Sequence, residues 1–253
     1  MKKRKTTLST RSAEITLSVY GEPVKVTAEV PLGPTTPRRM LPVFRRACGA
    51  VVAASVAQVA RRGRDVSCAA GCGACCRQLV PISPTEAHLV ADLVEHMPPE
   101  RKAVIAERFA AASHALADAG LSDQLRGDEK PTGESYRDLG LNYFNLGIPC
   151  PFLENESCSI HPDRPLVCRE YLVVSPPENC ARTNGEPIEV IRIPGEASKA
   201  LTALSGGRDF NNWVPLALAL EWSKANPSGD SLRPGEEIAR QFFGLLANST
   251  QTT

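Results

Sequence analysis

Four thiols fall within nine residues in Cys68-Ala69-Ala70-Gly71-Cys72-Gly73-Ala74-Cys75-Cys76, and four more follow at Cys150, Cys158, Cys168 and Cys180. Thiolate is a soft ligand, suited to zinc, cuprous copper and iron–sulfur clusters. The spacing Cys72-x2-Cys75 serves both zinc knuckles and many clusters. These eight cysteines are therefore predicted metal ligands, in two groups of four, for zinc or an iron–sulfur cluster. Gly71 and Gly73 oppose a helix here. They let the backbone turn tightly enough for amide N–H groups to point at sulfur. Adjacent Cys75 and Cys76 should point apart on a turn. That suits a multi-iron cluster or two centres better than a single ion.

Charge is the next requirement. Four thiolates on one zinc ion leave a surplus of negative charge. Arg77, Arg164, Arg169 and Arg182 all stand near cysteines in the chain. Arg164 and Arg169 are predicted to sit beside the cofactor, donating charge-assisted N–H···S bonds. His161 is a second-rank ligand, since mixed Cys/His sites are chemically reasonable but eight thiols already satisfy two sites. The ninth cysteine, Cys48, lies on an apolar helical face and should behave as a small hydrophobe. His88, His96 and His114 read as exposed helical residues, and Trp213 and Trp222 as packing residues.

With these residues in place, the pattern resembles a known family. Cys68-x3-Cys72-x2-Cys75-Cys76, Cys150-Pro151-Phe152-Leu153, Cys158-Ser159-Ile160-His161 and Arg164-Pro165-x2-Cys168-Arg169 look like the YkgJ-type cysteine-cluster family, a zinc- or iron-chelating domain named for its CxxCxxCC motif. The resemblance covers about Cys68 to Cys180. It extends to part of the flagellin lysine N-methylases, which are associated with an iron–sulfur cluster. His161 stands where the family often has Tyr, and the insert from Arg77 to Pro149 is long.

The elements that must position this centre are mostly helical. Ile15, Leu17 and Val19 share one face and Val24, Val26, Ala28 and Val30 another, around a turn at Tyr20-Gly21-Glu22-Pro23. This reads as a β-hairpin. A Pro-rich linker, residues 31–37, follows. Apolar residues at helical spacing predict a helix over Arg38–Arg61. Ser83, Pro84 and Glu86 form a predicted capping box that opens a helix to about His96. Pro98-Pro99 breaks it before a further helix over Glu100–Ala119. Leu121–Asn142 reads as a polar loop, Ile188–Ile193 as a short strand, and Asp209–Ala225 and Pro234–Ala247 as closing helices. The expected fold is mainly α, with a small N-terminal β-hairpin and an irregular cysteine-rich centre (α+β). Residues 1–37 form the tail, hairpin and linker. Residues 38–253 form a helical domain, with the metal-binding region at 68–180.

Composition bounds what this fold can do. A hydrophobic content of 42% over 253 residues is enough for a packed core, and 5% aromatics makes that core aliphatic. The net charge of +1 gives no bias toward nucleic acid. Met1 to Lys5 is basic, but no apolar run follows, so a secretion signal is not expected. The most apolar run, Ala47–Ala60, is shorter than the ~20 residues a membrane span needs. A cytoplasmic protein with an unknown protein or small-molecule partner is expected, and in that reducing compartment clustered cysteines mean metal or redox chemistry.

Two function classes follow. One is a metal-binding protein whose centre is structural or carries electrons. The other is a cluster-dependent enzyme, lysine N-methylase-like or an oxidoreductase. Cys68-x3-Cys72-x2-Cys75 also has radical-SAM spacing, but no alternation of strands and helices follows to build a β/α barrel. No glycine-rich strand-to-helix turn marks a methyl-donor site.

Overall fold

The computed structural model describes residues 9–127, 130–182, 186–206, 211–229 and 231–251. The basic N-terminal run and the predicted helix start at Asp209 lie outside them. The fold is mainly α with a few short antiparallel strands, as expected.

Strands β1 (Thr10–Val19) and β2 (Glu22–Pro31) form the predicted hairpin. Tyr20 and Gly21 make its turn, with φ of 53° and 78°. Both central residues lie in the left-handed region, the geometry that suits the twist of a two-residue hairpin. The register pairs Leu17 with Val24 and Ile15 with Val26. Both apolar sets therefore share one face. Strand β3 (Pro34–Thr35) leads through a 3-10 turn over Pro37–Met40 into α1 (Leu41–Arg61). The hairpin packs on α1, with Leu17, Val26, Phe44, Val51 and Phe242 in one core. Pro37–Arg61 is long and apolar enough by composition to cross a membrane. Here Val43, Phe44, Ala47, Cys48 and Val51 turn inward to the core.

Strand β4 (Pro81–Ile82) precedes α2 (Pro84–Glu95) and α3 (Pro99–Asp118). Ser83 and Glu86 make the predicted capping box. The expected polar loop after Leu121 is instead helical: α4 (Ser122–Arg126) and α5 (Gly133–Asn145). Leu125, Leu139 and Tyr143 are buried against Leu116 and Trp213. Packing overrides the weak helix propensity of Gly133 and Gly140.

The second cysteine segment holds β5 (Leu153–Glu154), β6 (Ser157–Cys158) and α6 (Leu166–Glu170). The expected strand at 188–193 reduces to one bridge between Val173 and Val190. Helix α7 (Ala197–Leu204) was not expected. The penultimate helix begins later than expected. Strand β7 (Val214–Pro215) pairs with β4, and α8 spans only Ala219–Ala225. Pro215 lacks the N–H a helix interior needs. Strand β8 (Arg233–Pro234) pairs with β3, and α9 (Gly235–Gln251) closes the chain.

Candidate metal centre

The first cysteine segment is a run of reverse turns. The amide of Cys72 donates to the Ala69 carbonyl at 3.1 Å, that of Cys76 to Gly73 at 2.9 Å, and that of Gln78 to Cys75 at 3.1 Å. Gly71 has φ +87°. Gly73 is needed for space, because a Cβ there would meet the Glu156 carbonyl oxygen at 2.4 Å. The β5–β6 hairpin thus presses directly on the cysteine loop. Its turn, Asn155-Glu156, has φ of 49° and 56°. Arg101 and Arg108 of α3 hold its Glu154. Arg77 forks onto Glu156 at 2.6 and 2.9 Å. Arg77 therefore ties loop to hairpin.

The two cysteine segments are joined by backbone. The Cys150 amide donates to the Cys76 carbonyl at 2.6 Å, and the Ser67 amide to Val173 at 2.9 Å. Cys168 rides on α6, which is anchored at both ends by buried glutamates. At its start, Glu86 accepts the Leu166 amide at 2.8 Å while also completing the α2 capping box. At its end, Glu170 accepts the Ala197 amide at 2.6 Å and so caps α7. Cys180 sits on a 3-10 turn over Pro177–Ala181, where its carbonyl accepts from the Gln78 side chain at 3.1 Å.

Cys72, Cys75, Cys76, Cys150, Cys158 and Cys168 line one cavity of about 80 Å³. Leu79, Val80, Phe152, Ile160, Val167 and Leu216 close it with apolar surface. Cys68 and Cys180 stand next to Cys72 and Cys75 rather than on the cavity wall. The two groups seen in the sequence are therefore interleaved in space. Three thiols from each segment share the cavity wall, whereas Cys180 lies off it, within electrostatic reach of Cys68, Cys72 and Cys75. All nine cysteines are free thiols.

The remaining candidates fall outside this ring. His161 neighbours Arg164 and Arg169, whose charges lower its pKa, and it does not line the cavity. Cys48 is wholly buried in the core beside Glu170, and burial pushes its thiol far up. His88 is half-buried rather than exposed, bonded to Ser223 at 2.8 Å and packed on Trp222.

Burial raises the thiols: Cys150 to about 12, Cys180 to about 11, and Cys168 well above its ordinary value. Backbone amides oppose this. The Val173 amide donates to Cys68 Sγ at 3.4 Å, and the amides of Phe152 and Ile160 reach Cys150 and Cys158. Those two donors lie two residues after their cysteines. Within the glycine-flanked turns, the Cys75 amide likewise favours its own thiolate. Cys75 and Cys76 do not point apart, because the turn at Gly73 leaves both on the cavity wall. Their mutual interaction lowers Cys75 and raises Cys76.

Arg164 lines the cavity, and its charge favours the thiolates of Cys68, Cys75 and Cys158. Its Nε is buried with no hydrogen-bond partner among the described residues. Arg169 acts one step back. Its Nε donates to the Arg164 carbonyl at 3.1 Å and another nitrogen to Pro162, which fixes the loop carrying Arg164.

Among the described residues, no three Cys, His, Asp or Glu side chains stand close enough to grip a single ion. The thiols ring a space instead. An all-sulfur donor set, amide donors aimed at sulfur, an apolar wall and an unpaired guanidinium nitrogen together suit a metal–thiolate group carrying surplus negative charge. The class defined by this fold and site is a helical protein built around a thiol-lined metal centre. Residues 67–186, just under half of the chain, match the CxxCxxCC family model, described as "Putative zinc- or iron-chelating domain". No curated protein and no solved structure matches the chain.

Proposed function

We propose that this chain is an iron–sulfur protein, in which the eight clustered cysteines hold the centre and Arg164 offsets its charge. One observation carries the choice of cluster over a single zinc ion. Six thiols surround a cavity of about 80 Å³, whereas one water-sized body needs only about 10–15 Å³ on the same measure. That space suits a polynuclear group. Interleaving of the segments supports a closed set of protein ligands. When bound, such a group supplies reversible one-electron chemistry. The chain's own residues keep water out through Phe152, Ile160 and Leu216, and present N–H dipoles to sulfur from Phe152, Ile160 and Val173. They hold the reduced state's extra charge against Arg164. A reducing, cytoplasmic setting belongs to this reading.

The test is anaerobic purification from iron-supplied cells, followed by iron, sulfide and zinc analysis. The expected product is brown, with broad charge-transfer absorption and iron and sulfide in equal amounts. A colourless protein with stoichiometric zinc would overturn the cluster and leave a structural site, since zinc has no redox chemistry.

A further inference from the structure

Beside the thiol cavity lies a second, much larger cleft of about 680 Å³. Its size falls within the ~300–1,000 Å³ of small-molecule sites. Gln78, Leu79, Pro81, Val167 and Tyr171 line both spaces. A ligand in the cleft would lie one layer of side chains from the sulfurs. Across from that shared wall, Tyr136 and Trp213 meet edge to face with centroids 5.7 Å apart. With Phe144 they make a rigid aromatic corner. Leu141, at the rim, is 50% exposed.

The charges at the mouth are uneven. Lys199 and Glu196 pair with each other. Arg137, also on the wall, has no ion-pair or hydrogen-bond partner among the described residues. One cation is thus left over above an aromatic floor. Gly140 of α5 contributes open wall, since a Cβ there would meet nothing within 4 Å.

We propose that this cleft binds a small molecule made of a planar ring and an anionic group, the ring seated against Tyr136 and Phe144 and the anion on Arg137. The ring gains apolar burial and aromatic contact. The anion gains a charge-assisted bond from the guanidinium. Carboxylate and phosphate share this chemistry.

Calorimetric titration of the full chain tests the proposal, with 2-naphthoate as the anionic probe and 2-naphthalenemethanol as its neutral counterpart. Both should bind, the anion about tenfold tighter, which is the scale of one exposed charge-assisted bond. Arg137→Gln should abolish that preference and leave the alcohol unchanged. Gly140→Leu, placed where no packed atom is displaced, should weaken both probes about tenfold or more. Metal content and unfolding temperature should stay as in the wild type. Absence of binding by the wild type, a preference that survives Arg137→Gln, or full affinity in Gly140→Leu would each overturn the cleft. Arg137 is exposed, so its variant keeps the test alive if Gly140→Leu fails to fold. Metal analysis reads the cluster separately, so loss of that reading leaves this one standing.

Discussion

The Cys150 amide donates to the carbonyl of Cys76 at 2.6 Å, joining two cysteine segments more than seventy residues apart in the chain. That bond sets the second segment's thiols opposite the first. Each segment alone offers too few facing sulfurs, and their union makes the cavity. Substituting one thiol from either segment should therefore empty the same centre. Cys72→Ser and Cys168→Ser are expected to lose most bound metal, read by elemental analysis. Cys48→Ser, a change in the helical core, should keep its metal and cost about 1–2 kcal/mol of stability. Full metal in Cys168→Ser, or metal lost in Cys48→Ser, would contradict the assignment.

Gly73 and Gly71 separate two reasons for glycine in one loop. A methyl group at Gly73 collides with the Glu156 carbonyl, so Gly73→Ala must push the β5–β6 hairpin away and carry Cys158 with it. Overpacking of this kind costs about 1–3 kcal/mol. At Gly71 the space is open, with Ser157 Oγ at 3.7 Å, and only the left-handed backbone resists a side chain, at about 1–2 kcal/mol. Both variants should be less stable by thermal unfolding. Gly73→Ala alone should also show markedly reduced metal content. Equal metal in the two would remove the hairpin from the site's construction.

Much of this was legible in the residues. Ser83, Pro84 and Glu86 announced the start of α2 because capping is local chemistry written within four positions. The cysteines announced a metal site because few other uses cluster thiols so tightly. What stayed hidden depends on distant partners. Glu86 reads as a capping residue, and nothing near it in the chain shows that it also receives the Leu166 amide. The β5–β6 hairpin has no glycine at Asn155-Glu156, so its turn carried a weak signal. Helix α5 reads as a loop in the sequence because its polar face dominates its composition, while Leu139 and Tyr143 find their partners only in the folded core. The mixing of the two cysteine groups is likewise a property of tertiary contact.

Glu86 supports α6 from a fully buried position. Its carboxylate accepts from Ser83 and from Leu166 at once. Glu86→Ala leaves the Leu166 amide unpaired, at a cost of about 1–3 kcal/mol for that group alone. Glu86→Gln sheds the charge that burial disfavours and keeps one acceptor oxygen, which can serve the Leu166 amide only by setting its NH2 against the Ser83 amide. The alanine variant should unfold at lower temperature and lose metal through displaced Cys168. The glutamine variant should lose stability through the broken cap and still keep its metal, because the tie to Leu166 survives. Equal behaviour of the two would mean that the α2 cap, and not the tie to α6, matters.

Metal removal should loosen the centre and leave the helices. The segment 147–177 has little regular structure, and its packing runs through the thiols. A structural zinc site contributes about 10–16 kcal/mol of apparent binding free energy, far beyond what one loop gains by burial. Chelation is expected to open this segment to protease while helical circular dichroism persists. Acid should do the same, because protons compete for thiolates that burial has already made reluctant to ionise. Unchanged protection of 147–177 in the metal-free protein would refute the coupling.

Arg164 and Arg169 make the last prediction, since the structure assigns them different work. Arg164 borders the cavity with a buried, unpaired Nε. Arg169 braces the Arg164 carbonyl from behind. Arg164→Gln removes positive charge from beside the sulfurs, so a metal–thiolate group should be held about 10- to 100-fold more weakly. If the group is a cluster, its reduction potential should fall, because the reduced form loses the cation that offsets its extra electron. Arg164→Lys restores the charge without the planar fork and should recover the potential more fully than the affinity. Arg169→Gln should weaken binding through a displaced loop and leave the potential near the wild-type value. Potentials from redox titration and affinities from competition with a chelator separate the two residues. A potential that moves equally in Arg164→Gln and Arg169→Gln would show that Arg164 acts through loop position, and that its charge does not reach the centre.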